Sequence, residues 1–119
     1  MIQRLEISGV HMDVGDDVKR YVRRKIGKLD RFLPRRIRPS IHAEVKLKEG
    51  KAKDKQIRTC EVILFLPGEM FTVKETTINI YAAIDIAEEK LKSHIKKYKG
   101  THTDGRLYRR LAARFRRKG

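Results

Sequence analysis

Along this chain the period of the apolar positions switches back and forth between two and a helical repeat, and each switch marks an element. Leu5 and Ile7 face one way and Arg4 and Glu6 the other, so residues 2–10 read as a first strand. From Val18 onward the spacing widens. Val18, Tyr21, Val22, Ile26, Leu29, Phe32 and Leu33 predict an amphipathic helix of about five turns, stopped by Pro34. Gly15 can cap its start, with Asp16 and Asp17 at the positive end of the dipole. Gly27 inside it costs about 1 kcal/mol relative to alanine, which the periodicity is expected to override. After the basic turn Pro34-Arg35-Arg36, alternation returns: Ile41, Ala43, Val45 and Leu47 interleave with His42, Glu44, Lys46 and Lys48. Glu49–Gln56 is polar, contains Gly50 and is expected to be a mobile loop. Ile57–Leu66 is rich in branched residues and ends at the turn signal Pro67-Gly68, and Phe71, Val73 and Glu75 lie two apart in the returning strand. The last long stripe is Ile80, Ala83, Ile84, Ala87, Leu91, Ile95 and Tyr98, with Asn79 as its cap.

The predicted order is β-α-β-β-β-α. Three consecutive strands on short links favour an antiparallel meander, and two amphipathic helices need one sheet face to cover. The expected architecture is therefore an α+β two-layer sandwich, with both helices on one face of a four-stranded sheet. Residues 1–100 form that domain. Gly100–Gly105 breaks the last helix, and residues 101–119 form a basic amphipathic tail in which Leu107, Leu111 and Phe115 are spaced by four.

A formal charge of +15, from 30 Lys and Arg against 15 Asp and Glu, changes the picture most. Such an excess repels itself in the compact state and favours polyanions. Nucleic acid is the first candidate partner and an anionic membrane surface the second. No apolar run approaches the roughly 20 residues of a spanning helix, and no secretory signal is read, so a cytoplasmic protein is expected.

Catalytic chemistry finds little support in the sequence. Cys60, the single cysteine, sits mid-strand as a structural thiol and permits neither an intrachain disulfide nor a cysteine-rich zinc site. His11, His42, His94 and His102 are scattered without metal-ligand spacing, although His94 and His102 could meet across the 100–105 turn. Asp85, Glu88 and Glu89 resemble a carboxylate cluster, but Glu88 and Lys92 form a favourable i,i+4 pair and a solvated face explains all three. Phosphate-binding glycine loops are absent. Neither an enzyme, nor a cofactor, nor a small-molecule substrate is expected.

The basic residues organise better. At about 100° per residue, Arg20, Arg24, Lys28 and Arg31 share one flank and outer face of the first helix. Lys90 and Lys97 fall on the corresponding flank of the last helix, Lys92, Lys96 and Lys99 on its other side, and Lys25 near the apolar arc, where it snorkels. Two such helices side by side would make one broad cationic surface, suited to phosphates and RNA shape rather than to sequence reading. Tyr21, Tyr81, Tyr98 and Tyr108 could in principle stack bases, but Tyr21 and Tyr98 lie on or beside apolar stripes and are expected in the core, the role of Tyr81 stays open, and no aromatic stacking pair is foreseen.

Two segments carry a family resemblance. The run Y-A-A-I-D (Tyr81–Asp85) followed by K-L-x-x-x-I-x-K-Y-K (Lys90–Lys99) resembles the last helix of the ribosome hibernation-promoting factors, also called ribosome-associated translation inhibitors. V-K-R-Y-V-R-R-K-I-G-K-L-D-R-F (Val18–Phe32) is similar to the first helix of that family. The resemblance covers roughly residues 1–100. It implies a fold similar to the double-stranded-RNA-binding domain, and binding in the small-subunit channel of messenger and transfer RNA, against the 16S-type ribosomal RNA of the decoding region. The family's basic positions match Lys25, Lys28, Arg31, Lys90, Lys97 and Lys99, while Ser93 stands where many members carry arginine. With Arg20, Arg24 and the tail's Arg109 and Arg110, these are the candidate RNA contacts. The chain looks like a short form, or a fragment of a long one that adds a dimerisation domain. A non-enzymatic silencer competing with messenger and transfer RNA is the leading expectation. The alternatives are a general duplex-RNA binder and a membrane or partner-docking protein acting through the tail.

Overall fold

The register of the sheet shows why the alternating positions matter. In the computed structural model, which describes residues 1–100, Leu5, Ala43, Leu64 and Phe71 lie side by side across four strands, and so do Ile7, Val45, Val62 and Val73. These rows face the core, while Glu44, Lys46, Glu61 and Lys74 take the opposite face. The strands are β1 (Arg4–Val10), β2 (His42–Ala52), β3 (Lys55–Leu66) and β4 (Glu69–Thr77), in spatial order β1-β2-β3-β4. β1 runs parallel to β2, as a crossover connection requires, and the other pairs are antiparallel. The helices α1 (Asp16–Lys25) and α2 (Ile80–Tyr98) close the core face, so the expected α+β two-layer sandwich is the observed fold.

α2 packs on β3 and β4 and meets α1 along one flank. Ala83, Ile84, Ala87 and Leu91 are completely buried there, as the stripe required. Asn79 caps the helix, its side chain accepting from the Tyr81 amide at 2.9 Å. At the other end Tyr98 is buried and its hydroxyl donates to the Pro67 carbonyl at 2.8 Å. This ties α2 to the β3–β4 turn, where Gly68 supplies the left-handed φ of 81°.

Three expectations are corrected by the structure. The first helix does not run five turns: α1 ends at Lys25, and Gly27–Phe32 tightens into a 3₁₀ segment with Leu29 bonded to Ile26 and Leu33 to Asp30. The cause is a chain crossing at Gly27. Its carbonyl accepts from the Ile2 amide at 2.7 Å, and a Cβ there would lie 3.1 Å from the Met1 side chain. Glycine at this point serves a close approach rather than a tolerated helix position.

Second, Glu49–Gln56 is largely strand. β2 and β3 continue as a ribbon to a two-residue turn at Lys53 and Asp54, both with positive φ, and Arg58 pairs with Glu49 across it at 3.4 Å. Cross-strand pairing, invisible in a polar window, holds the ribbon. Third, the basic turn after Pro34 opens a further 3₁₀ segment, Arg35–Ser40. Its Arg38 donates to the carbonyls of Asp30 and Leu33, each at 3.0 Å, and to that of Arg31 at 3.2 Å. That guanidinium satisfies the carbonyls left over at the end of the preceding segment.

Candidate nucleic-acid interface

Residues 16–40 carry ten Lys and Arg against three Asp, and the local structure pushes most of those cations outward. Val22, Ile26 and Leu29 turn into the core, which leaves Arg20, Arg23, Arg24, Lys28 and Arg31 exposed. Because the 3₁₀ repeat is three residues, Lys28 and Arg31 project from one side of the tightened segment. Arg20 pairs with Asp17 at 3.0 Å, with both side chains in water. No ion pair among the described residues holds Arg23, Arg24, Lys28 or Arg31. The four cations foreseen on the first helix are thus on the surface together, on two kinds of turn instead of one.

Lys25 is placed differently. Its ammonium lies 3.6 Å from Asp85 and 3.9 Å from Glu88, and 5.6 Å from the centre of the Tyr21 ring. It spans the seam between α1 and α2 rather than snorkelling to solvent. Asp85 also accepts the Tyr21 hydroxyl at 2.5 Å, so this carboxylate is an interhelical bracket and not merely part of a solvated face. That hydrogen bond, followed by desolvation, holds the Tyr21 pKa above its ordinary value.

The seam also holds an aromatic pair that the sequence reading did not foresee. The Tyr21 and Tyr81 rings lie 4.9 Å apart, tilted by 49°, and the Arg24 guanidinium sits 5.1 Å from the Tyr21 centroid. Tyr21 is not a core residue. Helical periodicity placed it beside the apolar stripe, but only the docking of α2 shows that this edge of the stripe opens into a notch. Tyr81, one residue from the start of α2, remains 39% exposed.

The lysines of α2 divide, but not as the helix arithmetic placed them. Lys90 points toward the sheet edge and pairs with Glu75 on β4, away from α1. Lys92, Lys96 and Lys99 instead line a depression of about 210 Å³ with Phe32 of the first 3₁₀ segment. Lys92 lies 3.3 Å from Glu89 and 5.8 Å from the Phe32 centroid, and Arg31 stacks on the same ring at 4.8 Å. Lys97 and Lys99 are exposed near the end of α2, and Ser93 returns a hydrogen bond to the Glu89 carbonyl. The side of α2 nearer α1 is therefore the one carrying Lys92, Lys96 and Lys99. Arg109 and Arg110 lie outside the described residues, as does the whole 101–119 tail.

Cys60, His42 and His94 are each engaged in the packing of the sheet. Burial beneath the helices, reinforced by Glu75, pushes the Cys60 thiol up to about 12, far from a usable thiolate. His42 stacks on Phe65 at 4.0 Å and His94 on Phe71 at 4.8 Å. The possible partner of His94, His102, lies outside the described residues.

Residues 5–103 match the sigma 54 modulation protein / S30EA ribosomal protein family. The chain belongs to that family. Two curated relatives, each a ribosome hibernation promotion factor, come from Staphylococcus aureus and Lactococcus lactis. The first is 32% identical over 96 residues, covering 81% of this chain and 48% of the relative. The second is 32% identical over 99 residues, covering 81% and 49%. The chain thus spans about half the length of the curated relatives it matches.

Among solved structures, the Thermus thermophilus Protein Y N-terminal domain superposes with a TM-score of 0.61 at 26% identity, covering 78% of this chain and 94% of that domain. A ribosomal subunit interface protein from Coxiella burnetii gives 0.66 at 19% identity, covering 82% and 98%, which supports the shared S30EA-type fold alone. The family match extends over both helices, so the tyrosine notch and the cationic 3₁₀ turn lie within the shared domain.

Proposed function

We propose that this domain is a non-enzymatic ribosome-binding factor that occupies the messenger and transfer RNA channel of the small subunit, inhibits translation and promotes ribosome hibernation in the cytoplasm. The observation that carries the reading is the run of outward cations from Arg20 to Arg31, uncompensated apart from the exposed Arg20–Asp17 pair, on a domain whose curated relatives are hibernation promotion factors. A row of cations kept without local carboxylates costs stability by self-repulsion, and that cost is offset when a polyanion replaces its counterions.

In this reading Arg20, Arg24, Lys28 and Arg31 contact phosphates of 16S-type ribosomal RNA in the decoding region, joined by Lys97 and Lys99 and by Arg109 and Arg110 of the tail. Lys25 and Lys90 are already engaged with carboxylates. They contribute mainly by fixing α2 against α1 and β4. Bound factor and bound messenger or transfer RNA then exclude each other by occupying one channel. Neutralising about six phosphates makes affinity fall on the order of 10³-fold between roughly 50 and 200 mM salt.

The test is co-sedimentation with purified small subunits, with and without messenger and initiator transfer RNA. Binding that is lost when those sites are filled supports the channel. Unchanged binding on filled subunits overturns it. Equal affinity for any RNA helix of about 16 base pairs would replace it by a general duplex-RNA binder.

A further inference from the structure

The notch between α1 and α2 is lined by Asp17, Arg20, Tyr21, Arg24 and Tyr81 and has a volume of about 530 Å³. That lies within the roughly 300–1,000 Å³ usual for small-ligand sites. It pairs two rings: Tyr21 carries Arg24, as Phe32 carries Arg31 elsewhere on the cationic surface, but here the second ring, Tyr81, stands exposed beside the first. We propose that this notch is a subsite for one unpaired nucleobase of an RNA strand, stacked on Tyr81 with its flanking phosphates on Arg20 and Arg24. The proposal rests on the RNA-binding reading above and adds to it a preference for a base out of its helix.

Four observations support it. First, the floor of the notch is braced. The Tyr21 hydroxyl is held by Asp85, and Lys25 closes the same bracket, so the Tyr21 ring stays where Tyr81 can lean on it. Second, Tyr81 keeps exposed ring surface at the mouth, where a planar base can lie against it. Third, two guanidinium groups flank the rings, and guanidinium both binds phosphate with directed hydrogen bonds and stacks on π-faces. Fourth, Asp17 stands in the same notch, paired with Arg20. A carboxylate there works against a bare phosphate anion but accepts from the N–H groups of a base edge. The lining therefore fits a nucleotide within a strand better than inorganic phosphate.

A paired duplex keeps its bases stacked and can offer the notch only backbone, so the subsite predicts discrimination by base exposure and not by sequence. Every base has a π-face, and loss of one aromatic platform typically costs about 5-fold to 100-fold in affinity.

The experiment uses the full chain and two blunt-ended RNA duplexes sharing one 2-aminopurine strand: in one that base is left unpaired as a bulge, in the other it is paired with uracil. Fluorescence titration at low salt is run for the wild type, Tyr81→Ala and Tyr81→Phe, with thermal melts to confirm folding. Co-sedimentation with small subunits is run in parallel. The expected result is tighter binding of the bulged probe by roughly 5-fold or more, with 2-aminopurine quenched on binding. Tyr81→Ala should lose both the preference and the quench, and Tyr81→Phe should retain them.

Equal affinities and an unquenched probe in the wild type overturn the subsite whether or not the variants fold. If that result comes with intact subunit binding, the ribosome reading survives without the notch. A quenched, preferred bulge together with failure to bind subunits keeps the notch and removes the ribosome instead.

Discussion

On the outer face of the sheet, Lys46 of β2 lies beside Glu61 of β3, and Glu61 beside Lys74 of β4. Lys48 neighbours Thr59, and at the ribbon end Arg58 meets Glu49. The helical layer is arranged otherwise: Arg20, Arg23, Arg24, Lys28 and Arg31 follow one another outward, with one exposed aspartate pairing only the first. Both faces are rich in charge, but the sheet mixes its signs where the outward row from Arg23 to Arg31 does not. Directly opposed like charges destabilise strand pairing, so a sheet face is driven toward alternation, with Glu6 beside Glu44 as an exception here. A helix face has the same opportunity through i,i+4 partners, and α2 uses it at Glu88 and Lys92. α1 and its 3₁₀ extension do not. Under the proposed function, the difference separates charge that serves the fold from charge offered to RNA.

The sharpest way to break this comparison is to reverse charge on the helical side. Arg20→Glu with Arg24→Glu should weaken small-subunit binding on the order of 10²-fold and lower the salt slope by about two. The thermal transition should stay in place, because both side chains are exposed. Co-sedimentation across a salt series reads both quantities.

A second experiment asks how completely the layer seals the inner sheet face at Cys60. An unfolded thiol ionises near its ordinary value of 9.0, whereas burial holds the folded one protonated up to about 12. The sign follows from linkage. The contribution is fully present below pH 9.0 and is lost as pH rises toward about 12, at up to roughly 1.4 kcal/mol per pH unit. Urea midpoints from neutral pH to about 10.5 should fall more steeply for the wild type than for Cys60→Ala. Parallel slopes would mean that the thiol titrates as if exposed.

A smaller effect distinguishes lysines within α2. Lys90→Glu places like charge beside Glu75 and should cost about 1 kcal/mol of stability. It should reduce subunit binding less than Lys96→Glu, whose side chain lies on the α1 side of the helix. Equal binding losses would return Lys90 to the interface. The smallest expectation is the matched control on the sheet. Lys46→Glu with Lys74→Glu should change subunit binding by no more than about 2-fold, the residual effect of net charge alone. A loss as large as that of the arginine pair would erase the distinction between the two faces.

The sequence by itself determined the layers. Alternation at Ile41–Leu47 and the stripe from Ile80 to Tyr98 encode burial directly, because a residue's face follows from its position in a strand or helix. The caps at Gly15 and Asn79 and the turn at Pro67-Gly68 were legible for the same local reason. The charge excess was legible too, and it is what the proposal of a polyanionic partner starts from. What only the tertiary structure decided is where elements meet. The crossing of Ile2 over Gly27 ends α1 early, cross-strand pairing turns a polar loop into ribbon, and Glu75 draws Lys90 to the sheet edge.

The tyrosine notch belongs to that second group. Tyr21 and Tyr81 are sixty residues apart in the chain, and nothing in either local pattern states that Asp85 holds one ring beside the other. Local sequence sets the direction of a side chain on its own element. Which other side chain it meets depends on how the helices dock over the sheet, and the apolar stripe buried beneath them sets that docking.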